Sequence, residues 1–401
     1  MIRPPHVRLP TVAACLVSHH ASAAGDGTIR LWDRTAYRPL LTLPGNAWRL
    51  YFNGNESRVG PVTHDGRAGW YELDWPGALW TLNPPQKSEG ARAAAFHRHG
   101  FLLAALTGTG AVVWKTAPPS GHSIFIPHER PSALTFTPDG QWLAVSSAGG
   151  LHLHAIRRDS KAKLGAPVLQ GSRRIMAGAF TDVCFDGAAS RIAMVRGDTG
   201  TIEARHYDKK AAAAGAVIHT FPGTPATRCA ISPDGKWLAA GSPGNLDARV
   251  FDLETGNLLL EPHAAREGRN WLSAFSYDNK WLIFSGRTAH LLRTEDWKTR
   301  AVDVRPNQGN GRGAVFFRTR NENVMWLAVA GADEEAHVFR VGELPEKLAV
   351  LRSPQGGAIG TLAVSAHGTI AAAAPRGEVQ LWPLPVVRKH LEKLGLDLDA
   401  P

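Results

Sequence analysis

Short apolar runs of about four to six residues, cut by clusters of Gly, Pro, Asp and Asn, recur along the whole chain. One unit repeats at a period of about 40 to 50 residues. It opens with an apolar strand, passes a Pro-Asp-Gly turn and continues with a Trp-Leu-Ala strand. A Gly-containing turn and a third strand ending in an aromatic residue follow. The turn and second strand are clearest at Pro138-Asp139-Gly140-Gln141-Trp142-Leu143-Ala144 and at Pro233-Asp234-Gly235-Lys236-Trp237-Leu238-Ala239. Tyr277-Asp278-Asn279-Lys280-Trp281-Leu282-Ile283 is a variant, and Trp326-Leu327-Ala328 keeps the strand alone. Pro sets φ for such a turn, Asp bonds the local backbone and Gly or Asn tolerates positive φ, so the first two strands form a hairpin.

The third strand is clearest at Gly25-Asp26-Gly27-Thr28-Ile29-Arg30-Leu31-Trp32-Asp33. Degenerate copies end at Asp74, Trp114, His154, Asp208, Asp252, Arg293, Phe339 and Trp382, which makes nine triplets. A short fourth strand follows some of them, as at Pro39 to Leu43 and Asn257 to Leu260. Small antiparallel sheets repeated at this period are the signature of propeller blades. Each sheet has two apolar faces and buries them against its neighbours, so Trp142, Trp237, Trp281 and Trp326 are expected between blades.

Through Trp32-Asp33 and its degenerate copies, the sequence resembles WD-repeat β-propellers over nearly its whole length. The expected fold is all-β, a ring of four-stranded antiparallel blades. Nine units are counted, with seven or eight as the commoner ring sizes. The Gly-His dipeptide that usually precedes the family's inner strand is missing. The resemblance therefore implies no buried His-Asp network, and stability is expected to rest on packing between blades. In the family an N-terminal strand completes the last blade, which points to His6-Val7-Arg8-Leu9 beside Val379 to Trp382. The propeller is expected over residues 1–385, with an amphipathic helix over 386–401 in which Val387, Leu391 and Leu394 share one face. Arg388, Leu391, Leu394, Gly395, Leu396 and Asp397 are similar to the end of propeller regions attached to bacterial serine/threonine protein kinases, with Leu398 where Trp is usual. That likeness implies a sensor or docking module of a signalling system. No kinase catalytic motif is present.

The chain has 401 residues and a formal charge of 45 − 35 = +10, which favours anionic partners through long-range attraction. The N-terminal residues resemble a secretory signal faintly, but fit a first repeat better. No apolar run is long enough for a membrane helix. The three cysteines, Cys15, Cys184 and Cys229, are too scattered for a disulfide scaffold or zinc site and read as small buried side chains on inner strands.

Enzyme motifs are missing: there is no Gly-x-Ser-x-Gly elbow, Walker loop or His-Glu-x-x-His. His152 and His154 share a strand face but lack a third ligand in sequence, so they read as ordinary strand histidines. His19 and His20 point to opposite faces of a regular strand. Arg196-Gly197-Asp198 matches an adhesion tripeptide but occupies a turn position. An arginine recurs near the start of inner strands: Arg49, Arg92, Arg130, Arg228, Arg269 and Arg312, with Arg173 and Arg174 nearby. These are expected to form a basic collar at one channel mouth, binding an acidic or phosphorylated peptide.

The sequence thus points to a non-catalytic protein-interaction scaffold or sensor, monomeric, without cofactor, metal or membrane span. Its partner is expected to be a protein or peptide, with nucleic acid disfavoured. The compartment is undetermined, with a slight preference for the cytoplasm. The alternative is a metal-dependent lactonase or hydrolase of propeller fold, acting at the channel mouth.

Overall fold

The computed structural model describes strands and adjoining turns between residues 12 and 386. Residues 1–11 and 387–401 lie outside the description, as do internal stretches that include 63–70, 73–79, 85–90, 159–166, 262–270, 303–312 and 353–358. The chain divides into two compact units, one of residues 1–79, 350–356 and 383–401, the other of residues 80–349 and 357–382.

The first unit holds the first two repeats. Val12–Cys15, His19–Ala24, Thr28–Asp33 and Arg38–Pro44 form a four-stranded antiparallel sheet in sequence order. Arg49–Phe52, Arg58–Val62 and Tyr71–Glu72 form a three-stranded one. Residues 12–24 therefore make a first repeat hairpin, as their sequence suggests.

The second unit holds seven four-stranded antiparallel sheets. Blade 1 runs Ala93–Phe96, Leu102–Leu106, Gly110–Thr116 and Pro119–Pro127. Blade 2 runs Pro131–Phe136, Trp142–Ser147, Gly150–Arg158 and Pro167–Met176. Blade 3 runs Phe180–Phe185, Arg191–Arg196, Ile202–Asp208 and Ala213–Phe221. Blade 4 runs Arg228–Ile231, Trp237–Gly241, Arg249–Asp252 and Leu258–Leu260. Blade 5 runs Trp271–Phe275, Trp281–Ser285, Ala289–Arg293 and Thr299–Val302. Blade 6 runs Ala314–Arg318, Met325–Ala330, Glu335–Arg340 and Glu346–Arg352. Blade 7 has Thr361–Val364, Thr369–Ala373 and Val379–Pro383, and takes its fourth strand from Trp80–Leu82.

All nine expected triplets exist as sheets, and seven of them make the ring. Closure differs from the expectation. Val379, Gln380 and Leu381 pair with Leu82, Thr81 and Trp80, so the strand before blade 1 completes blade 7. His6 to Leu9, the expected closing strand, lies outside the described residues, and its expected place beside Val379 is taken. Leu82 then packs with Leu103, Val112 and Trp114 of blade 1 and with Ala371, Val379 and Leu381 of blade 7. Closure by an early strand removes the open edge that an unpaired third strand would leave.

Interblade packing follows the repeat. Trp281 of blade 5 clusters with Ala314 and Phe316 of blade 6. Trp237 of blade 4 stacks on Phe275 of blade 5 and meets Trp297 edge-on. Trp142 packs against Val183, Ile192 and Tyr207 of blade 3. Each fully buried large apolar side chain contributes about 1.5–3 kcal/mol, so the clusters between successive blades are the main source of folding free energy.

The turns after the inner strands of blades 2, 4 and 5 share a polar lock. In blade 4 the Ser232 hydroxyl donates to Asp234 at 2.7 Å and accepts from the Trp237 amide at 2.9 Å. Thr137 with Asp139 and Trp142, and Ser276 with Asp278 and Trp281, repeat this arrangement. Neighbouring turns are also linked. The Gly187 amide donates to the Pro233 carbonyl, and the Asp234 amide to Asn279 Oδ1.

Candidate functional site

The inner strands begin at one end of the ring, and five of them line a cleft. It is lined by Ala93 to Ala95, Ala133 to Thr135, Asp182, Arg228 and Thr361, from blades 1, 2, 3, 4 and 7. The small alanines let five strands approach closely. Asp182 and Arg228 bring the charge. The Asp182 side chain is 1% exposed and accepts the Cys229 amide at 3.0 Å, while the Arg228 guanidinium lies 3.8 Å from it and 14% exposed. Arg228 also donates to the Thr181 carbonyl at 3.4 Å. This pair ties the start of blade 4 to blade 3.

Arg92 and Arg130 precede the inner strands of blades 1 and 2, and both are exposed. Arg130 adopts φ 44°, a left-handed conformation that turns the chain sharply into Pro131. Arg92, Arg130 and Arg228 therefore share the end of the ring at which inner strands start. The other arginines of the expected collar are placed elsewhere or not described. Arg49 begins the three-stranded sheet of the first unit and donates to the Tyr51 hydroxyl at 3.3 Å. Arg173 and Arg174 are exposed on the outermost strand of blade 2, away from the inner strands, and Arg173 bonds the Ala211 carbonyl. Arg269 and Arg312 lie outside the described residues. Arg196 and Asp198 pair with each other across a tight turn, with the Gly200 amide on the Arg196 carbonyl, as their sequence suggests.

The structure supplies what the sequence lacked beside His152 and His154. His128, in the segment entering blade 2, places its Nε2 2.9 Å from His154 Nε2, with its ring centroid 5.2 Å from that of His152. Burial, then the neighbouring imidazoles, hold both His128 and His154 down at about 4. His152 is also lowered, by burial and then by Arg174. Among the described residues no three His, Cys, Asp or Glu side chains are arranged to hold a metal ion. The trio packs ring against ring, with one hydrogen bond between His128 and His154, and burial disfavours its charged forms. His128 gave no sequence signal, because it belongs to no strand of the repeat.

Residues 215–252 match the family model for the WD domain, G-beta repeat. The matched stretch begins in the outer strand of blade 3 and ends with the third strand of blade 4, so the WD repeat is offset by one strand from the blade. That offset is why ring closure needs Trp80–Leu82. No curated protein matches this sequence. A chain in the crystal structure of the Mitotic Checkpoint Complex is similar in fold, with a TM-score of 0.58 and 12% identity. The likeness covers 78% of this chain and 93% of that one. At such identity it speaks to fold alone. No described helix is long and apolar enough to cross a membrane.

Proposed function

We propose that this WD-repeat ring is a non-catalytic protein-interaction scaffold that holds an acidic or phosphorylated peptide at the end where its inner strands begin. The observation that carries this is the gathering of Arg92, Arg130 and Arg228 there, two exposed and the third at the cleft. Guanidinium groups bind carboxylate and phosphate through paired hydrogen bonds, and the alanine-lined cleft beside them admits a side chain of a docked segment. The similar chain of known structure sits in a protein complex, which agrees with a docking role. The likeness of the tail to kinase-linked propellers supports a place in signalling. A propeller hydrolase would need several convergent carboxylates and imidazoles. Asp182 is the one carboxylate among the described lining residues, and it is engaged by Arg228 and Cys229.

The test is fluorescence anisotropy of the full chain against a phosphorylated, Asp/Glu-rich peptide at low salt. Arg92→Glu with Arg130→Glu should weaken binding at least tenfold, and added salt should weaken the wild type progressively. Unchanged affinity in the double charge reversal removes the proposal. Arg228 is left intact because its pairing with Asp182 supports the fold.

A further inference from the structure

We propose that Cys184 and Cys229 are a modification site, forming a reversible disulfide that staples blade 3 to blade 4. They are 45 residues apart in sequence, yet their sulfurs lie 3.3 Å apart. Both are free thiols in this structure and both are buried. They stand on the inner strands of adjacent blades, Cys184 in Phe180–Phe185 and Cys229 in Arg228–Ile231. Cys229 Sγ also lies 3.8 Å from the Ala193 carbonyl.

The approach is set by backbone, not by mobile loops. The Cys229 amide donates to Asp182, two residues before Cys184, and Arg228 bonds the Thr181 carbonyl. Two strands pinned in this way set their thiols opposite each other. A disulfide needs the sulfurs to close from 3.3 Å to about 2.0 Å.

The oxidant is a peroxide. Cys184, the more accessible at 5% against 1%, is attacked first. Its sulfur attacks one peroxide oxygen, the O–O bond breaks, and a sulfenic acid and one water result. The Cys229 sulfur then attacks the Cys184 sulfur, expelling the hydroxyl as a second water, its thiol proton included. Two thiols are oxidised by two electrons and one hydrogen peroxide is reduced to two waters. Burial makes the reaction slow, paced by opening of the blade interface. A dithiol reductant reverses it.

The test uses the full chain and hydrogen peroxide, with a parallel sample in urea below the unfolding transition to give the oxidant access. Treated protein is denatured without reductant, alkylated and mapped by mass spectrometry. The expected result is a Cys184–Cys229 cross-linked peptide with Cys15 still alkylated. The melting temperature should rise by about 3 to 8 °C and return after dithiothreitol, since a cross-link removes freedom from the unfolded chain. Cys184→Ser and Cys229→Ser should each abolish the rise. Full alkylation of both thiols in the two treated samples overturns the proposal. So does a cross-link that lowers the melting temperature or that joins Cys15 in preference.

Discussion

The His128–His154 contact makes stability depend on pH in a window that can be worked out beforehand. Their Nε2 atoms are 2.9 Å apart, so one nitrogen donates and the other accepts. Protonating both rings would set two N–H groups against each other in a site poor in water. Folding therefore favours the neutral form, and both rings titrate at about 4 instead of 6.5. The sign follows directly. Above about pH 7.5 both states are neutral and the pair contributes almost no pH dependence. As pH falls from there toward 4, the unfolded chain takes up protons that the folded one refuses, and stability falls. At about pH 5 the loss is roughly 2 kcal/mol for one such imidazole, and about 2 to 4 for the pair, because the first proton taken up disfavours the second. The chain has seventeen histidines, so the wild-type profile alone does not isolate these two. The assay is urea unfolding between pH 8 and pH 5 for the wild type and for His128→Gln with His154→Gln. Glutamine keeps an amide donor and acceptor at each place without titrating. The double variant should start less stable at pH 8 and lose about 2 to 4 kcal/mol less than the wild type by pH 5. Parallel profiles for the two proteins would show that the imidazoles titrate normally and refute the reasoning.

Three further outcomes follow from the turns and from closure. Ser232→Ala removes a fully buried hydroxyl that serves Asp234 and the Trp237 amide, and should cost about 1.5–3 kcal/mol in urea unfolding. Ser232→Thr should restore most of it, as Thr137 fills the same role in blade 2; equal loss in both variants would speak against the hydroxyl. Gly140 has φ 73°, and an added Cβ would lie 2.6 Å from His97 Nε2, which bonds the Gly140 carbonyl. Gly140→Ala should therefore cost about 1–3 kcal/mol, read as a lowered melting temperature. Thr81→Pro removes a backbone donor from the strand that completes blade 7. It should lower the melting temperature and produce self-association on size exclusion as the Val379 edge opens, whereas an unchanged elution and melt would show that closure does not depend on this strand.

Much of the fold is legible because it is written locally. Pro-Asp-Gly before Trp-Leu-Ala marks a hairpin without reference to any distant residue, and every expected third strand is found. The ring size is not local. The repeats of residues 12–72 have the same grammar as the others, and which sheets close on one another is decided by interface packing that no single unit encodes. The closing strand was misplaced for a related reason. Trp80–Leu82 is three residues long, too short to carry an alternating pattern, and its role comes from Leu82 fitting between Leu103 and Val379. The Thr or Ser before Pro-Asp-Gly was visible at Thr137 and Ser232. Its meaning emerges only when the hydroxyl is seen bridging a carboxylate and an amide.

The site divides along the same line. The shared placement of Arg92, Arg130 and Arg228 was legible from sequence because each is fixed by its own inner strand, and equivalent positions in a ring share an end. Arg173 and Arg174 failed that criterion from the outset, since they precede no inner strand directly, and they fall on an outer one. Contacts between successive blades are a different kind of information. Cys184 is the fifth residue of its inner strand and Cys229 the second of the next, so no alignment of one repeat on another superimposes them. They meet because neighbouring blades face each other with opposite sheet faces, so positions one residue apart in the repeat come together, with the Cys229 amide on Asp182 across the interface. His128 meets His154 in the same manner, across a blade boundary and off the repeat register. In a ring built of similar units, chemistry that repeats with the unit can be read along the chain. Chemistry that arises once depends on the offset between neighbours, and that offset is set by the hydrogen bonds and packing of each interface.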